Sequence, residues 1–481
     1  MRPALLCLKK DKKIAENVFK DLHLDFIFPK KIQAILAHPC SKEELVTRQK
    51  IFVEIKNDTT FATVIACRSA IADLAREITL WREARTKVEK LFLNVSVIEK
   101  YSQTCQALCN LQGEGRLQAV AKYFQNKSNP KLFEAVLQAR ELLNCICNAQ
   151  IGCCDNQHFI TKNASEKTLY SEICACAKAL GLSFPQKEYS AIYPDVYISR
   201  AFRKLYKEEI DRIQNLLEPY KAIDFDEVLS YLPELDFIIQ IEEFGRKAER
   251  RQIPRCIPTV SPKRVFHLTE MYDFTLFPLA EGDIVPNNTY FSQEEPFFFL
   301  VGANGGGKTT YLRAVGSNLI LFLAGCPVFA QSCVGYPFCD VRTHYPADER
   351  FTNIGRLDDE KRRVDEMLDG DITDVFFLFN ETFSGTNQEK GYALAMEIVE
   401  KLHQQSVFGL FVTHFHQVSE TKFPILHTVI QNENHKRTYK ITYATPDGSS
   451  YAEDILIKYQ MDGASLAKKI KINSEGQVST I

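Results

Sequence analysis

The stretch GANGGGKT, residues 302–309, decides the fold of the second half of this 481-residue chain. It satisfies the pattern G-x-x-x-x-G-K-[ST] and lies between an apolar run, PFFFLV, and an amphipathic stretch, TYLRAVGSNLILFLAG. A strand, a glycine loop and a helix in this order form a P-loop, whose curled backbone points successive N–H groups at a phosphate. The alternative, a glycine-rich turn with an accidental lysine, leaves the flanking strand and helix unexplained. The sequence therefore predicts a nucleotide-binding α/β domain.

The residues of this loop have predicted roles toward ATP and Mg²⁺. Lys308 is expected to reach the β- and γ-phosphate oxygens, and the Thr309 hydroxyl is expected to bind the metal ion. The residues predicted to bind the nucleotide through the loop are Gly302, Ala303, Asn304, Gly305, Gly306, Gly307, Lys308, Thr309 and Thr310.

A second apolar run, VFFLF at residues 375–379, ends in Asn380 and Glu381. P-loop ATPases of this type usually place Asp and Glu there. The Asp holds Mg²⁺, often through water, and the Glu positions or deprotonates the attacking water. Glu381 is therefore the candidate general base. Asn380 can still accept a hydrogen bond from a magnesium-bound water, but it adds no charge, so weaker Mg²⁺ binding or slower turnover is expected.

A third apolar run, LFV at residues 410–412, ends in THFH. A histidine at a strand end near a γ-phosphate can sense that phosphate through a hydrogen bond. The place of this run relative to the other two predicts such a catalytic role for His414, against the alternative of a polar end to a core strand. For His416 both interpretations stay open.

The two halves of the chain differ in pattern. Up to about residue 255 the spacing of apolar residues is helical, as in LFEAVLQARELL at residues 132–143. Three prolines in IPRCIPTVSPK, residues 253–263, mark a junction near residue 256. Beyond it, short Phe- and Val-rich runs alternate with helical segments. The predicted fold is an all-α domain followed by an α/β P-loop domain.

The composition limits which binding partners and which cellular compartment are expected. Net charge is −2 with a pI near 6.6, so any nucleic-acid binding must come from a local basic patch. No apolar run is long enough for a secretory signal or a membrane span, and a soluble cytoplasmic protein without membrane contact is expected. The 15 cysteines are an odd number in a chain with no export signal, which favours reduced thiols.

One group of cysteines raises the question of a zinc site. Its spacing is C-x-C and C-C instead of the C-x-x-C pairs that suit a tetrahedral ion, so free thiols on helices are the preferred interpretation. The group consists of Cys145, Cys147, Cys153, Cys154, Cys174 and Cys176, with His158 among them.

Taken together, these stretches resemble the ATPase domain of the MutS family of DNA mismatch-repair proteins. GANGGGKTTYLRAVG is similar to the family's G-P-N-M-G-G-K-S-T-Y-x-R-Q, and IVPNN at residues 284–288 to F-V-P-N-D. NETFSGT resembles D-E-x-G-R-G-T, and VTHFH resembles the segment that carries the family's switch histidine. Residues 19–52 and 234–249 are similar to parts of the helical core and lever region. The likeness is specific only over residues 284–420.

The resemblance implies a domain organisation and partners. It implies a core and lever domain at residues 1–255, with a reduced clamp near 145–195, an ABC-type ATPase domain at 256–445, and a C-terminal helical dimerisation segment at 446–481. It further implies a homodimer whose P-loop sites are each completed by the other subunit, and structure-directed DNA binding. Tyr272 and Phe274 become candidates for stacking on the adenine. Domains for mismatch recognition and for connection are expected to be missing.

Departures from the family pattern leave the activity open. FTNIGRLDDEKRRVDEM at residues 351–367 lacks the Ser that normally touches the nucleotide of the opposite subunit, and Lys361, Arg362 and Arg363 stand nearby. An Arg could act there in trans, although a solvated charged turn is the preferred alternative. Three functions are weighed: a DNA-repair or recombination ATPase, an ATP-gated switch with little hydrolysis, and a protein scaffold that binds no DNA. The candidate basic patches are residues 246–255 and the group Lys9, Lys10, Lys12 and Lys13.

Overall fold

A computed structural model describes residues 2–7, 13–127, 129–147, 149–154, 157–162, 202–279, 282–346, 356–431, 436–443, 470–472 and 478–480. These residues divide into two compact units. The first comprises Met1–Leu5 and Glu54–Ile239, and the second comprises Leu6–Val53 and Gln240–Ile481. The domain boundary near residue 256 stays a prediction.

The helices and strands are numbered in chain order. The helices are α1 (Glu16–Asp21), α2 (Leu24–Ile27), α3 (Lys30–Leu36), α4 (Lys42–Glu54), α5 (Asp58–Glu83), α6 (Lys87–Cys109), α7 (Gly115–Lys127), α8 (Pro130–Cys147), α9 (Lys207–Leu217), α10 (Phe225–Leu229), α11 (Leu232–Glu249), α12 (Lys308–Leu323), α13 (Arg356–Met367) and α14 (Gln388–Gln404). The strands are β1 (Ala149–Cys154), β2 (Gln157–Lys162), β3 (Thr259–Val260), β4 (Phe266–Met271), β5 (Asn287–Phe291), β6 (Phe297–Val301), β7 (Ser332–Gly335), β8 (Asp340–His344), β9 (Val375–Asn380), β10 (Phe408–Val412), β11 (Ile425–Gln431), β12 (Lys436–Tyr443), β13 (Ile470–Ile472) and β14 (Val478–Thr480).

Long helices dominate the first unit. Helix α5 begins where Asn57 accepts hydrogen bonds from the backbone of Thr59 and Thr60, and α6 begins at a capping box formed by Thr86 and Glu89. The predicted apolar stripe on α8 is confirmed, because its members are buried in a core shared with α6 and α9. The stripe consists of Leu132, Val136, Ala139 and Leu143.

The prediction of an all-helical first half is wrong in one segment. Strands β1 and β2 pair as an antiparallel ladder from Ala149 with Lys162 to Cys154 with Gln157. Cys153 and Cys154 therefore lie in a strand, not on a helix. Cys174, Cys176 and most of the predicted clamp lie outside the described residues, so the zinc question stays untested. Among the residues described in the C-terminal segment after 446, β13 and β14 form an antiparallel pair where a helix was expected.

The second unit is built on a six-stranded sheet with the order β12-β11-β6-β10-β9-β8. The five strands from β11 to β8 are parallel, and only β12 runs antiparallel to its neighbour. Every residue of β9 and β10 is buried, which fits a sheet covered on both faces. The strands predicted from the runs PFFFLV, VFFLF and LFV are confirmed as β6, β9 and β10, and the helix predicted after the glycine loop is confirmed as α12.

This parallel arrangement positions the site. The carboxyl ends of β6, β9 and β10 meet at one edge of the sheet because the three strands are parallel neighbours. A second, four-stranded sheet has the order β3-β7-β4-β5. Among the described residues, none of the helices combines the length and the apolar character needed to cross a bilayer.

Candidate functional site

The glycine loop connects β6 to α12 through positions whose backbone conformation needs glycine. Gly305 has φ 69° and Gly307 has φ 96°, a region where residues with a side chain are strained. A Cβ at Gly305 would lie 2.5 Å from Arg437 Nη1, the far end of a flexible side chain that can shift, so the positive φ is what requires glycine here. The loop therefore has the conformation that its glycines predict.

Lys308 turns back over its own loop. Its side chain is only 4% exposed, and Nζ donates to the carbonyl oxygens of Gly302 at 2.8 Å and Ala303 at 3.2 Å. Burial lowers its pKa to about 8, aided by the charge of Arg437 and opposed by that of Glu381. A buried ammonium of this kind gains most from an anionic partner.

Thr309 and Asn380 are brought together as predicted for a magnesium site. Thr309 Oγ1 donates to Asn380 Oδ1 across 3.2 Å, although the residues are 71 positions apart in the chain. Both are oxygen ligands of the kind that Mg²⁺ accepts, directly or through its waters. The residues present thus fit Mg²⁺ in geometry but supply no negative charge of their own.

Glu381 and His414 form a close pair at the ends of β9 and β10. His414 Nε2 lies 2.7 Å from Glu381 Oε1, and both side chains are about one-third exposed. The hydrogen bond from His414 lowers the pKa of Glu381, and the charges of His414 and Lys308 act in the same direction against burial. The carboxylate is therefore held in its basic, ionised form.

The backbone at Glu381 is strained. Its φ is 51°, in the left-handed region, while its N–H donates to Val412 O at 2.8 Å. Non-glycine residues in this region cost on the order of 1–3 kcal/mol and occur often at active sites. This costly backbone conformation occurs at the residue that carries the candidate base, directly after the end of β9.

The turn after Glu381 is supported by a residue that the sequence did not indicate. His344, at the end of β8, lies with Nδ1 2.9 Å from Thr382 Oγ1. Burial, with the charge of Arg363, lowers the pKa of His344 to about 3, so its imidazole is neutral. No motif marked this histidine, because it ends β8, a strand of mixed polar and apolar residues without a glycine loop or an acidic pair.

A cleft of about 340 Å³ lies beside the loop. Six of the predicted residues line it, namely Asn304, Gly305, Gly307, Lys308, Thr309 and Thr310, together with Glu381. The residues that sequence reasoning missed here include Met271, Asp273, Leu276 and Tyr439. Ile284 and Val285, from the quoted IVPNN stretch, also line it.

The two candidates for adenine stacking are not part of this cleft lining. Met271 and Asp273 line it, whereas Tyr272 between them does not, as alternation along an extended chain explains. Phe274 is fully buried and packs against Phe28, Phe244 and Phe329.

The charged stretch at residues 361–363 lies on helix α13, not in a turn. Arg362 pairs with Asp359 and Glu366 of its own helix. Arg363 donates to the carbonyl of Tyr345 at 3.2 Å. Lys361 is exposed. The preceding residues 351–355 lie outside the described residues.

The basic run at residues 246–255 is partly neutralised within the second unit. Arg246 and Arg255 both donate to Glu242, which is fully buried, and Arg255 is also bound to Glu249. Lys247 and Arg250 remain exposed. Of the other patch, Lys9, Lys10 and Lys12 lie outside the described residues.

Comparison with known proteins shows where this chain is similar to a known family. The model of the family MutS domain V matches residues 298–464, which include the loop, Glu381 and His414. The chain is 26% identical over 276 residues to a DNA mismatch repair protein MutS of Geobacillus sp. (strain WCH70), covering 55% of this chain and 28% of that protein. Residues 298–464 are therefore similar to MutS domain V.

Two further MutS-family relatives show the same level of likeness. A DNA mismatch repair protein MutS of Bacillus subtilis (strain 168) is 26% identical over 267 residues, covering 50% of this chain and 30% of that protein. An Endonuclease MutS2 of Bacillus mycoides (strain KBAB4) is 27% identical over 218 residues, covering 44% of this chain and 26% of that protein. The matched region is thus less than a third of the length of these MutS-family relatives.

Proposed function

We propose that this chain is a cytoplasmic, MutS-like ATPase with the ABC-type arrangement of its P-loop domain. The observation that carries the proposal is the meeting of three predicted groups at one sheet edge. Lys308 begins α12 directly after the glycine loop that follows β6, Asn380 ends β9 with Glu381 next to it, and His414 follows β10. Such a set serves phosphate binding, metal binding and activation of water around one nucleotide.

The proposed mechanism divides the work among these residues. The loop N–H groups and Lys308 would bind the β- and γ-phosphates, and Thr309 and Asn380 would hold Mg²⁺ or its waters. Bound Mg²⁺ neutralises charge on the phosphate oxygens. Glu381 orients the attacking water and takes its proton, and His414 keeps that carboxylate ionised until a γ-phosphate oxygen competes for its Nε2 proton.

The amide of Asn380 is the reason to expect slow ATP turnover. A carboxylate at this position would add a negative charge beside the hydroxyl of Thr309, whereas the amide oxygen adds only a dipole. An ATP-gated switch with weak hydrolysis, or a scaffold that acts on proteins, is therefore the second candidate function.

Phosphate release from wild type, Asn380→Asp and Glu381→Gln tests the ATPase proposal. We expect measurable turnover in wild type, at least tenfold faster turnover at low Mg²⁺ in Asn380→Asp, and a loss of 10²-fold or more in Glu381→Gln, because general bases contribute 10²–10⁴-fold. ATP binding should persist in Glu381→Gln as the control. Turnover that appears only in Asn380→Asp would favour the switch.

We propose further that the chain acts on DNA as a homodimer. The relatives in support are named as mismatch-repair proteins and as an endonuclease. Binding would be structure-directed, without direct mismatch reading, in DNA repair or recombination. Within the charged stretch at residues 361–363, Lys361 is exposed on α13 and is the candidate for contact with the nucleotide of a second copy. Sedimentation velocity with and without ATP tests this, and a monomer in both conditions would contradict the dimer.

A further inference from the structure

Strand β12 brings an arginine onto the phosphate-binding loop. Arg437 Nη1 donates to the carbonyl oxygen of Gly305 at 3.4 Å. The same guanidinium lies 2.5 Å (Nη1) and 3.4 Å (Cζ) from the position that a Cβ of Gly305 would take. The planar group therefore covers the loop directly, three residues before Lys308.

The charge of Arg437 is not matched by an anion in the described part of the protein. The arginine is half-buried, and its hydrogen bond to Gly305 is long and made to a neutral carbonyl. Among the described residues, no carboxylate lies within salt-bridge distance of it. Arg264, Arg342 and Arg362 of the same unit, by contrast, each have an aspartate partner.

Arg437 is also close enough to a second cation to influence it. Its positive charge acts on Lys308, which is itself buried and bound only to neutral oxygens. The carboxylate of Glu381 offsets part of this repulsion at Lys308, and a polyanion between the two cations would remove the rest. Tyr439, two residues further along β12, lines the cleft, so this strand forms part of its wall.

We propose that Arg437 is a second phosphate-binding cation of the nucleotide site, supplied in cis by β12. It would contact the β- and γ-phosphates, because Gly305 lies on the cleft side of the loop that leads to Lys308. Arginine suits this role, since its fork of N–H groups can bind two phosphate oxygens at once. The long bond to Gly305 would then be replaced by charge-assisted bonds. This inference rests on the proposal that the site binds ATP.

The test compares three variants by the Kd of ATP, ADP and AMP in the presence of Mg²⁺. Arg437→Gln keeps a donor for the carbonyl of Gly305 but removes the charge, Arg437→Lys keeps the charge, and Arg437→Ala removes both. We expect Arg437→Gln and Arg437→Ala to weaken ATP binding about tenfold or more, as for other hydrogen bonds to charged groups. ADP binding should weaken less, AMP binding should stay within about twofold, and Arg437→Lys should retain most of the ATP affinity.

Lys401→Ala, an exposed lysine of α14, is the control for the change in net charge and should leave all three Kd values unchanged. Wild-type ATP affinity in Arg437→Gln would overturn the inference and assign Arg437 a structural role. An equal loss for ATP and AMP would overturn it too. If wild type binds ATP but either of these two contradicting results is obtained, only the proposed role of Arg437 is rejected. If wild type binds no ATP, the proposed function is rejected as well.

Discussion

At the scale of single residues, the site combines groups that sequence patterns marked with others that only the fold brings in. Asp273 is of the second kind. It is 3% exposed, it lines the cleft, and its Oδ1 accepts hydrogen bonds from the backbone and the hydroxyl of Thr275 at 3.0 and 2.6 Å. Burial raises its pKa from 3.8 to about 6, against those hydrogen bonds and the charge of Arg313. Ionised Asp273 therefore destabilises the folded protein.

This raised pKa predicts a pH dependence of stability. Between about pH 4 and pH 6 the folded state binds more protons at Asp273 than the unfolded state, so the free energy of unfolding falls as pH rises through this window. Asp273→Asn keeps the acceptor for Thr275 and removes the charge. We expect it to raise the free energy of unfolding by roughly 1–2 kcal/mol at pH 8, less than the full pKa shift implies because its buried amide N–H group lacks a partner.

Urea denaturation at pH 4, 6 and 8 measures this effect. The value at pH 4 is the internal control, since Asp273 is then protonated in the folded state and the substitution should change stability little. If Asp273→Asn raised the free energy of unfolding by the same amount at every pH, the effect would come from packing and not from ionisation.

At the scale of secondary-structure elements, the sequence predicted correctly those elements whose residue pattern has a single physical cause. Strands β6, β9 and β10 are short apolar runs because both faces of the sheet are covered. The glycines of the phosphate-binding loop were predictable because the loop backbone needs positive φ. The pairs Thr309–Asn380 and Glu381–His414 were predicted in role. The ends of the parallel strands β9 and β10 account for the second pair, and the start of α12 after the glycine loop brings Thr309 to Asn380.

Other features could not be predicted because they depend on pairing between distant segments. Arg437 lies in a polar stretch with no motif and reaches Gly305, 132 residues away, only because β12 pairs with β11. The β1–β2 pair was missed because the helical spacing of α8 runs up to the cysteine-rich segment. Tyr272 was a candidate because the family resemblance places an aromatic residue near the adenine at this point, yet alternation places its neighbours Met271 and Asp273 in the cleft wall.

The capping box of α6 provides a prediction for the helical unit. Thr86 Oγ1 accepts from the N–H of Glu89 at 3.1 Å, and Glu89 Oε2 accepts from the N–H groups of Thr86 and Arg85. Thr86→Ala leaves the Glu89 N–H without this acceptor and should lower the free energy of unfolding by about 1 kcal/mol. Thr86→Ser, which keeps the hydroxyl, is the matched control. Urea unfolding followed by circular dichroism measures both, and equal loss in the two variants would rule out the cap as the cause.

At the scale of the whole molecule, charge limits how DNA could be bound. The 59 Lys and Arg residues are balanced by 61 Asp and Glu residues, so attraction to DNA cannot come from net charge. Within the run at residues 246–255, Arg246 and Arg255 are already bound to Glu242. If this run binds phosphates, the exposed Lys247 and Arg250 must provide the contacts.

The salt dependence of DNA binding therefore tests the DNA proposal at two identified residues. Each phosphate contact adds about 0.9 to the slope of log K against log salt concentration, so Lys247→Ala with Arg250→Ala should reduce that slope by up to about 2 and weaken binding to duplex and branched DNA alike. A double variant of Lys390 and Lys401 to Ala, with the same change in net charge on α14, should leave the slope unchanged. An equal effect of both double variants would remove residues 246–255 from the interface. No retention of wild type on either DNA at low salt would defeat the DNA proposal and favour the protein scaffold, because phosphate-directed binding is strongest when counterions are scarce.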